Sequence, residues 1–121
     1  MPDLMRKFMK TTDTLGVFEQ RVLTAVLQCG DEGYIRKVNE KVNELGGKKV
    51  QLAAIYVVLD RLERKGFVKA WRTDPVPESG GKPRWCYGIL PAGENAMEEV
   101  SESSQRILEP WGFKWIKKRI K

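Results

Sequence analysis

QLAAIYVVLDRLERKG, residues 51–66, carries the strongest helical pattern in the chain. Leu52, Ile55, Tyr56, Leu59 and Leu62 step by three and four, which puts them on one helical face. Gln51, Ala54, Val57, Arg61 and Lys65 fall on the other face, and Gly66 stops the helix. A helix with a single apolar stripe must pack against something, so the flanking segments decide the architecture.

Upstream, Phe18, Val22, Ala25 and Val26 form a stripe over about 17–28, widened by Leu23 and Leu27. This predicts a buried first helix closed by Gly30. Asp31 reads as the N-cap of a second helix, in which Tyr34, Ile35, Val38 and Val42 share a buried face. Gly46-Gly47 ends it, and Lys48-Lys49-Val50 is at most a stub of strand. Downstream, 67–72 and 84–90 are rich in aromatic and β-branched residues. Between them stands TDPVPESGGKP, dense in turn formers, so the pair predicts a β-hairpin with a long tip. From Ala92 to Ile107 the helical period returns. Ala96, Met97, Val100, Ile107 and Leu108 lie on one side and Glu94, Glu98, Glu99 and Glu102 on the other; Pro110 ends or kinks the helix. Near the start, Leu4, Met5, Phe8 and Met9 repeat as one short apolar face. Three helices, a hairpin and a long helix fit a winged helix-turn-helix or another small α+β domain.

A length of 121 residues gives one domain. The sequence has no histidine, which excludes Ser-His-Asp and Cys-His catalysis and His-ligated metal within one chain. Cys29 and Cys86 are not a C-x-x-C pair and read as small apolar residues. No cofactor, no metal and no enzymatic activity are expected. No run of 18 apolar residues occurs, and MPDLMRKFMKTTD has no apolar core of signal-peptide length, which predicts a cytoplasmic chain. The net charge of +6 is uneven: zero over 1–47, +5 over 48–85, −4 over 86–110 and +5 over 111–121. Clustered positive charge suits a polyanion, with nucleic acid ahead of anionic lipid.

Three motifs in order carry a family resemblance. F-E-x-x-V-L opens the first helix at Phe18, Glu19, Val22 and Leu23. Y-x-x-L-x-R-L-E-x-K-G runs through Tyr56, Leu59, Arg61, Leu62, Glu63, Lys65 and Gly66. G-G-K-P-R with an aromatic strand spans Gly80 to Tyr87. Over roughly 15–98 the chain resembles the PadR family of winged-helix transcriptional regulators. It departs from the family where Ile35 follows Tyr34 in place of glycine, and where Leu90-Pro91 opens the last helix in place of threonine.

The resemblance implies an α+β, mainly helical fold, a winged helix-turn-helix of three helices plus β-hairpin wing with a C-terminal dimerisation helix. Residues 1–13 would then be an N-terminal helix in a dimer contact, 14–90 the DNA-binding domain, and 91–121 the dimerisation helix and a basic aromatic tail. The 51–66 helix would read a DNA groove. Gln51 suits adenine, and Ala53 or Ala54 a thymine methyl. The ring of Tyr56 fits the core while its hydroxyl fits a phosphate. Lys48, Lys49, Arg61 and Lys65 suit phosphates. At the wing, Gly80 and Gly81 turn the backbone while Lys82 and Arg84 project toward DNA. One winged helix reads few base pairs, so a homodimer on a palindromic double-stranded operator is expected. Leu4, Met5, Phe8, Met9, Met97, Val100, Ile107, Leu108 and Trp111 are the candidate dimer residues.

Phenolic acids induce some family members, which implies a small aromatic effector. Trp71, Trp85, Trp111 and Trp115 are either the lining of an effector cavity or plain core. The tail, WGFKWIKKRIK, fits dimer packing first, further DNA contact second and a membrane surface last. The expected function is a repressor acting by promoter occlusion. The alternative is a winged-helix module for protein interaction or membrane-associated assembly, without specific DNA binding.

Overall fold

A computed structural model describes residues 15–73 and 84–120, the last eight of these as backbone only. Helix α1 (Val17–Cys29) leads through a 3-10 turn (Gly30–Glu32) into α2 (Ile35–Glu44) and α3 (Leu52–Arg64). Strands β1 (Val68–Arg72) and β2 (Trp85–Ile89) follow, and α4 (Pro91–Ile120) completes the order. The strands pair antiparallel, with Val68 opposite Ile89 and Arg72 opposite Trp85. This is a mainly helical α+β winged helix, with α2 and α3 as the helix-turn-helix and the hairpin as the wing.

Backbone contacts fasten the hairpin to the segment that enters α2. Tyr34 bridges Cys86, and the Tyr87 N–H donates to the Gly33 carbonyl at 2.8 Å. A Cβ at position 33 would stand 2.1 Å from the Tyr87 oxygen, so only glycine lets the two backbones meet.

The core sits where α1, α2 and α3 converge beneath the hairpin. Val22, Leu23 and Val26 of α1, Val38 and Val42 of α2, and Ile55, Leu59 and Leu62 of α3 are fully buried, joined by Val68 and Cys86. Burial pushes the thiols of Cys29 and Cys86 above their ordinary range, in keeping with their use as small apolar residues.

Several sequence readings shift by part of a turn. Leu27 is exposed, because it lies about 120° from the centre of the stripe that buries Val22 and Val26. Val58 is buried in place of Tyr56, which stands at the edge of the Ile55–Leu59–Leu62 stripe and is 49% exposed. Asp31 does not cap α2. It lies in the 3-10 turn, and Tyr34 is the N-cap. Residues 48–50 form no strand. Helix α4 does not stop at Pro110 but continues to Ile120. The Arg106 carbonyl, which a proline at 110 cannot serve, lies on an exposed stretch where water can bond it. Leu4, Met5, Phe8 and Met9 lie outside the described residues, as do Gly80, Gly81 and Lys82 of the wing tip.

One buried ion pair ties the first helix to the end of the third. Glu19 accepts from the Gly16 N–H at 3.0 Å with one oxygen and from Lys65 Nζ at 2.9 Å with the other. Burial alone would raise the Glu19 carboxyl; the Gly16 N–H and the Lys65 ammonium outweigh it and hold the group below its ordinary value. Glu19→Gln is expected to cost about 2 kcal/mol at neutral pH, the scale of a hydrogen bond to a charged group, in urea denaturation. A depressed folded pKa contributes stability above the ordinary value of 4.5 that is lost as pH falls through the folded value. The variant should therefore lose less stability than the parent on acidification below that point.

Candidate nucleic-acid interface

The inward stripe of α3 leaves a defined outward face. Gln51 caps the helix N-terminus, and Gln51, Ala53, Ala54, Tyr56, Val57 and Arg61 are all exposed. Two alanines beside the cap keep the backbone accessible at the end of the helix where amide dipoles converge. Val57 is 56% exposed on the same side, an apolar group the core has no use for. Lys48 and Lys49 are exposed in the loop that enters α3.

That loop is held from the second helix. Asn43 Oδ1 accepts the Val50 N–H at 2.8 Å, and Asn43 Nδ2 donates to Asn39 Oδ1 at 3.3 Å and reaches the Val50 carbonyl at 3.5 Å. One side chain of α2 thus fixes the residue just before Gln51. Gly46 and Gly47, at φ 95° and 88°, supply the left-handed turn that the connection needs.

Beside α3 the hairpin builds a cleft of about 260 Å³ lined by Tyr34, Ile35, Arg36, Tyr56, Arg84 and Trp85. The Arg84 guanidinium lies 3.8 Å from the Tyr34 ring centroid, and its buried Nε has no hydrogen-bond partner. Across the strand pair, Arg72 sits 5.6 Å from the centroid of the Trp85 ring. Arg36 also lines a second, shallower cleft with Asn39, Glu40, Lys49, Val50, Gln51 and Leu52. The two clefts therefore form one surface, running from the wing base past α2 to the start of α3. Cations over aromatic faces present guanidinium charge in an ordered way and suit phosphate oxygens.

Among the sequence-selected residues, Tyr56 and Arg84 line the first cleft and Lys49 and Gln51 the second, while Lys48, Ala53 and Ala54 are exposed and adjoin these in the chain. Arg61 is exposed one and a half turns further along α3. Lys65 is half-buried at the other end of the helix and bonded to Glu19. Tyr34, Arg36 and Trp85 line the clefts without having been singled out for them, and Arg72 stands beside Trp85. The alternation of β2, with Trp85 out and Cys86 in, was the available signal for Trp85. Nothing local in the sequence marks the stack between residues 34 and 84.

The arrangement matches solved structures closely enough to place the fold. A PadR family transcription regulator from hypervirulent Clostridium difficile superposes with a TM-score of 0.62 at 19% identity, covering 84% of this chain and 99% of that one. A PadR-like transcriptional regulator from Bacillus cereus gives 0.60 at 24%, covering 86% and 89%. BpsR of Bordetella bronchiseptica, solved to explain regulation of its DNA binding by 6-hydroxynicotinic acid, gives 0.62 at 15%, covering 92% and 83%. The fold is that of the PadR-type winged helix. No family model and no curated protein matches the sequence. Helix α4 runs 30 residues, and no helix among the described residues is long and apolar enough to cross a membrane.

Asn43→Ala removes the clamp on Val50 and is expected to cost about 1 kcal/mol in urea denaturation. Amide exchange at Val50 should accelerate by more than the global change, while the core amides of α3 follow the global change alone.

Proposed function

We propose that this chain is a PadR-type DNA-binding transcriptional regulator that acts as a homodimer. The observation that carries the reading is the outward face of α3, which offers Gln51, Ala53, Ala54 and Tyr56 beside Lys48 and Lys49. In this reading the start of α3 enters a major groove. Gln51 makes the directional contact to a base edge, and the alanines allow close approach. Lys48, Lys49, Arg36, Arg61 and Arg84 meet phosphates and set the orientation. The wing residues Gly80, Gly81 and Lys82 extend the contact along the backbone. Lys65 is left out of the revised interface, because its charge is taken up by Glu19.

A homodimer on a palindromic operator follows from the small footprint of one winged helix. Ile107, Leu108 and Trp111 support it: they are 63%, 61% and 63% exposed, one apolar patch on α4. Met97 and Val100 lie against the core and are half-buried, so they would serve as the inner edge of that contact. Leu4, Met5, Phe8 and Met9 complete the surface in the proposal. The domain division at 14–90 and 91–121 belongs to the same reading, as does repression by occupation of a promoter. Regulation of BpsR by a small aromatic acid supports asking the same of this chain, with Trp71, Trp85 and Trp111 as fluorescent reporters.

Gel-shift titration of an affinity-selected duplex tests the assignment. Gln51→Ala should cost about 1–3 kcal/mol and relax preference at one base pair. Lys48→Ala with Lys49→Ala should weaken binding to all duplexes alike and reduce the slope of log K against log salt by about 2. An assembly module would show neither effect and would lose its duplex to competitor DNA.

A further inference from the structure

The outward face of α3 changes character along its axis. Residues 52–57 carry no charge, and the outer positions among them, Ala53, Ala54, Tyr56 and Val57, are all exposed. From the next turn on, the outer positions are Asp60, Arg61, Glu63 and Arg64, every one of them charged. Lys48 and Lys49 precede the helix and are exposed as well. An uncharged window is thus framed by cations on both sides. Asp60, at its far border, is paired with Arg64 at 3.1 Å.

Val57 is the largest aliphatic group at those outer positions and is 56% exposed. It stands about 150° around the helix from the centre of the buried Ile55–Val58–Leu59–Leu62 stripe, and about 40° and 60° from Ala53 and Ala54. A groove-reading helix makes its base contacts with residues three, four and seven apart on one face. Ala54 and Val57 are three apart, Ala53 and Val57 four, and Ala54 and Arg61 seven. Core packing does not call for valine here, and a branched side chain is a poorer helix former than alanine, arginine or lysine. Three small apolar side chains are too few for a protein partner, which needs roughly 800 Å² a side built on aromatic or arginine anchors. The surrounding cations select a polyanion instead. A charge turned toward a base edge without a partner would give up its water for nothing, so an uncharged window between cations matches a groove floor between phosphate walls.

We propose that Val57 is a specificity-determining residue: with Ala53 and Ala54 beside it, its branched end takes the C5-methyl group of a pyrimidine, thymine in ordinary DNA. The inference rests on the DNA-binding reading above and adds a second discriminating contact to that of Gln51. In the major groove this methyl is the apolar group that a base-pair edge presents, and apolar side chains recognise it. Alanine ends at Cβ, so Val57 reaches furthest of the three. Burial of one methyl group is worth about a fourfold change in affinity. The contact therefore separates thymine from uracil, whose hydrogen-bonding edge is the same and which Gln51 cannot tell apart.

The test uses the full chain and a duplex that it selects from random sequences. Deoxyuridine replaces thymidine one position at a time, which removes only the methyl, and binding is followed by gel shift. The expected result is at least one position where the loss weakens binding about fourfold. In Val57→Ala that sensitivity disappears, while the response at every other position is unchanged and circular dichroism is that of the parent. At the sensitive position 5-methylcytosine should bind more tightly than cytosine by a similar factor in the parent, and no more tightly in the variant. Uracil sensitivity that Val57→Ala leaves intact, or no sensitive position at all, overturns the assignment of Val57 and leaves the DNA-binding reading standing. Failure to enrich any duplex overturns that reading itself, and this inference with it.

Discussion

Ile55, Val58, Leu59 and Leu62 are buried against α1 and α2, and that burial fixes the rotation of α3 about its own axis. A rotation of one residue, 100°, would carry Tyr56 into the core and bring Leu59 to its edge. The loss of several fully buried aliphatic side chains at about 2 kcal/mol each makes such a rotation prohibitive. Everything on the outward face inherits its direction from this stripe. Gln51, Ala53, Ala54 and Val57 are exposed because their neighbours at helical spacing are not. At its two ends the helix is held by polar contacts: Asn43 through Val50 before the N-terminus and Glu19 through Lys65 after the C-terminus.

Around that fixed helix the charge is ordered rather than diffuse. Arg84 lies on the Tyr34 ring and Arg72 is set toward Trp85, so two guanidinium groups of the wing stand on aromatic supports. Such stacking costs less side-chain freedom on contact than free lysines do. The Gly33 approach to Tyr87 sets the distance between α2 and the hairpin, and with it the width of the cleft that Arg36, Tyr56 and Arg84 share. A rigid helix, a fastened wing and ordered cations are what a fixed polyanion would require.

Periodicity made the fold largely legible. The 51–66 stretch yielded α3 to within a residue at each end, and the two aromatic runs yielded both strands of the wing. What escaped depends on contacts distant in sequence. Lys65 reads as an outward cation until Glu19, 46 positions away, is seen to draw it inward. Tyr34 reads as a core residue of α2, yet it caps that helix and supports an arginine from the far strand. Asn43 carried no signal, because its partner is a backbone group across a glycine turn. Of the two outcomes expected at Pro110, an end of the helix does not occur: α4 runs on past it, and on an exposed helix solvent can bond the carbonyl that proline leaves unserved. The candidate groove residues were chosen by type at the start of α3, where Gln51, Ala53 and Ala54 are all exposed.

Affinity selection of random duplexes by the purified full-length chain bears most directly on the central claim, that two copies present α3 to one DNA groove face. Enrichment of an inverted repeat is expected, with half-sites centred about one helical turn apart, roughly 10 base pairs, or a multiple of that. Failure to enrich any sequence, or enrichment of a single unrepeated site, would contradict it.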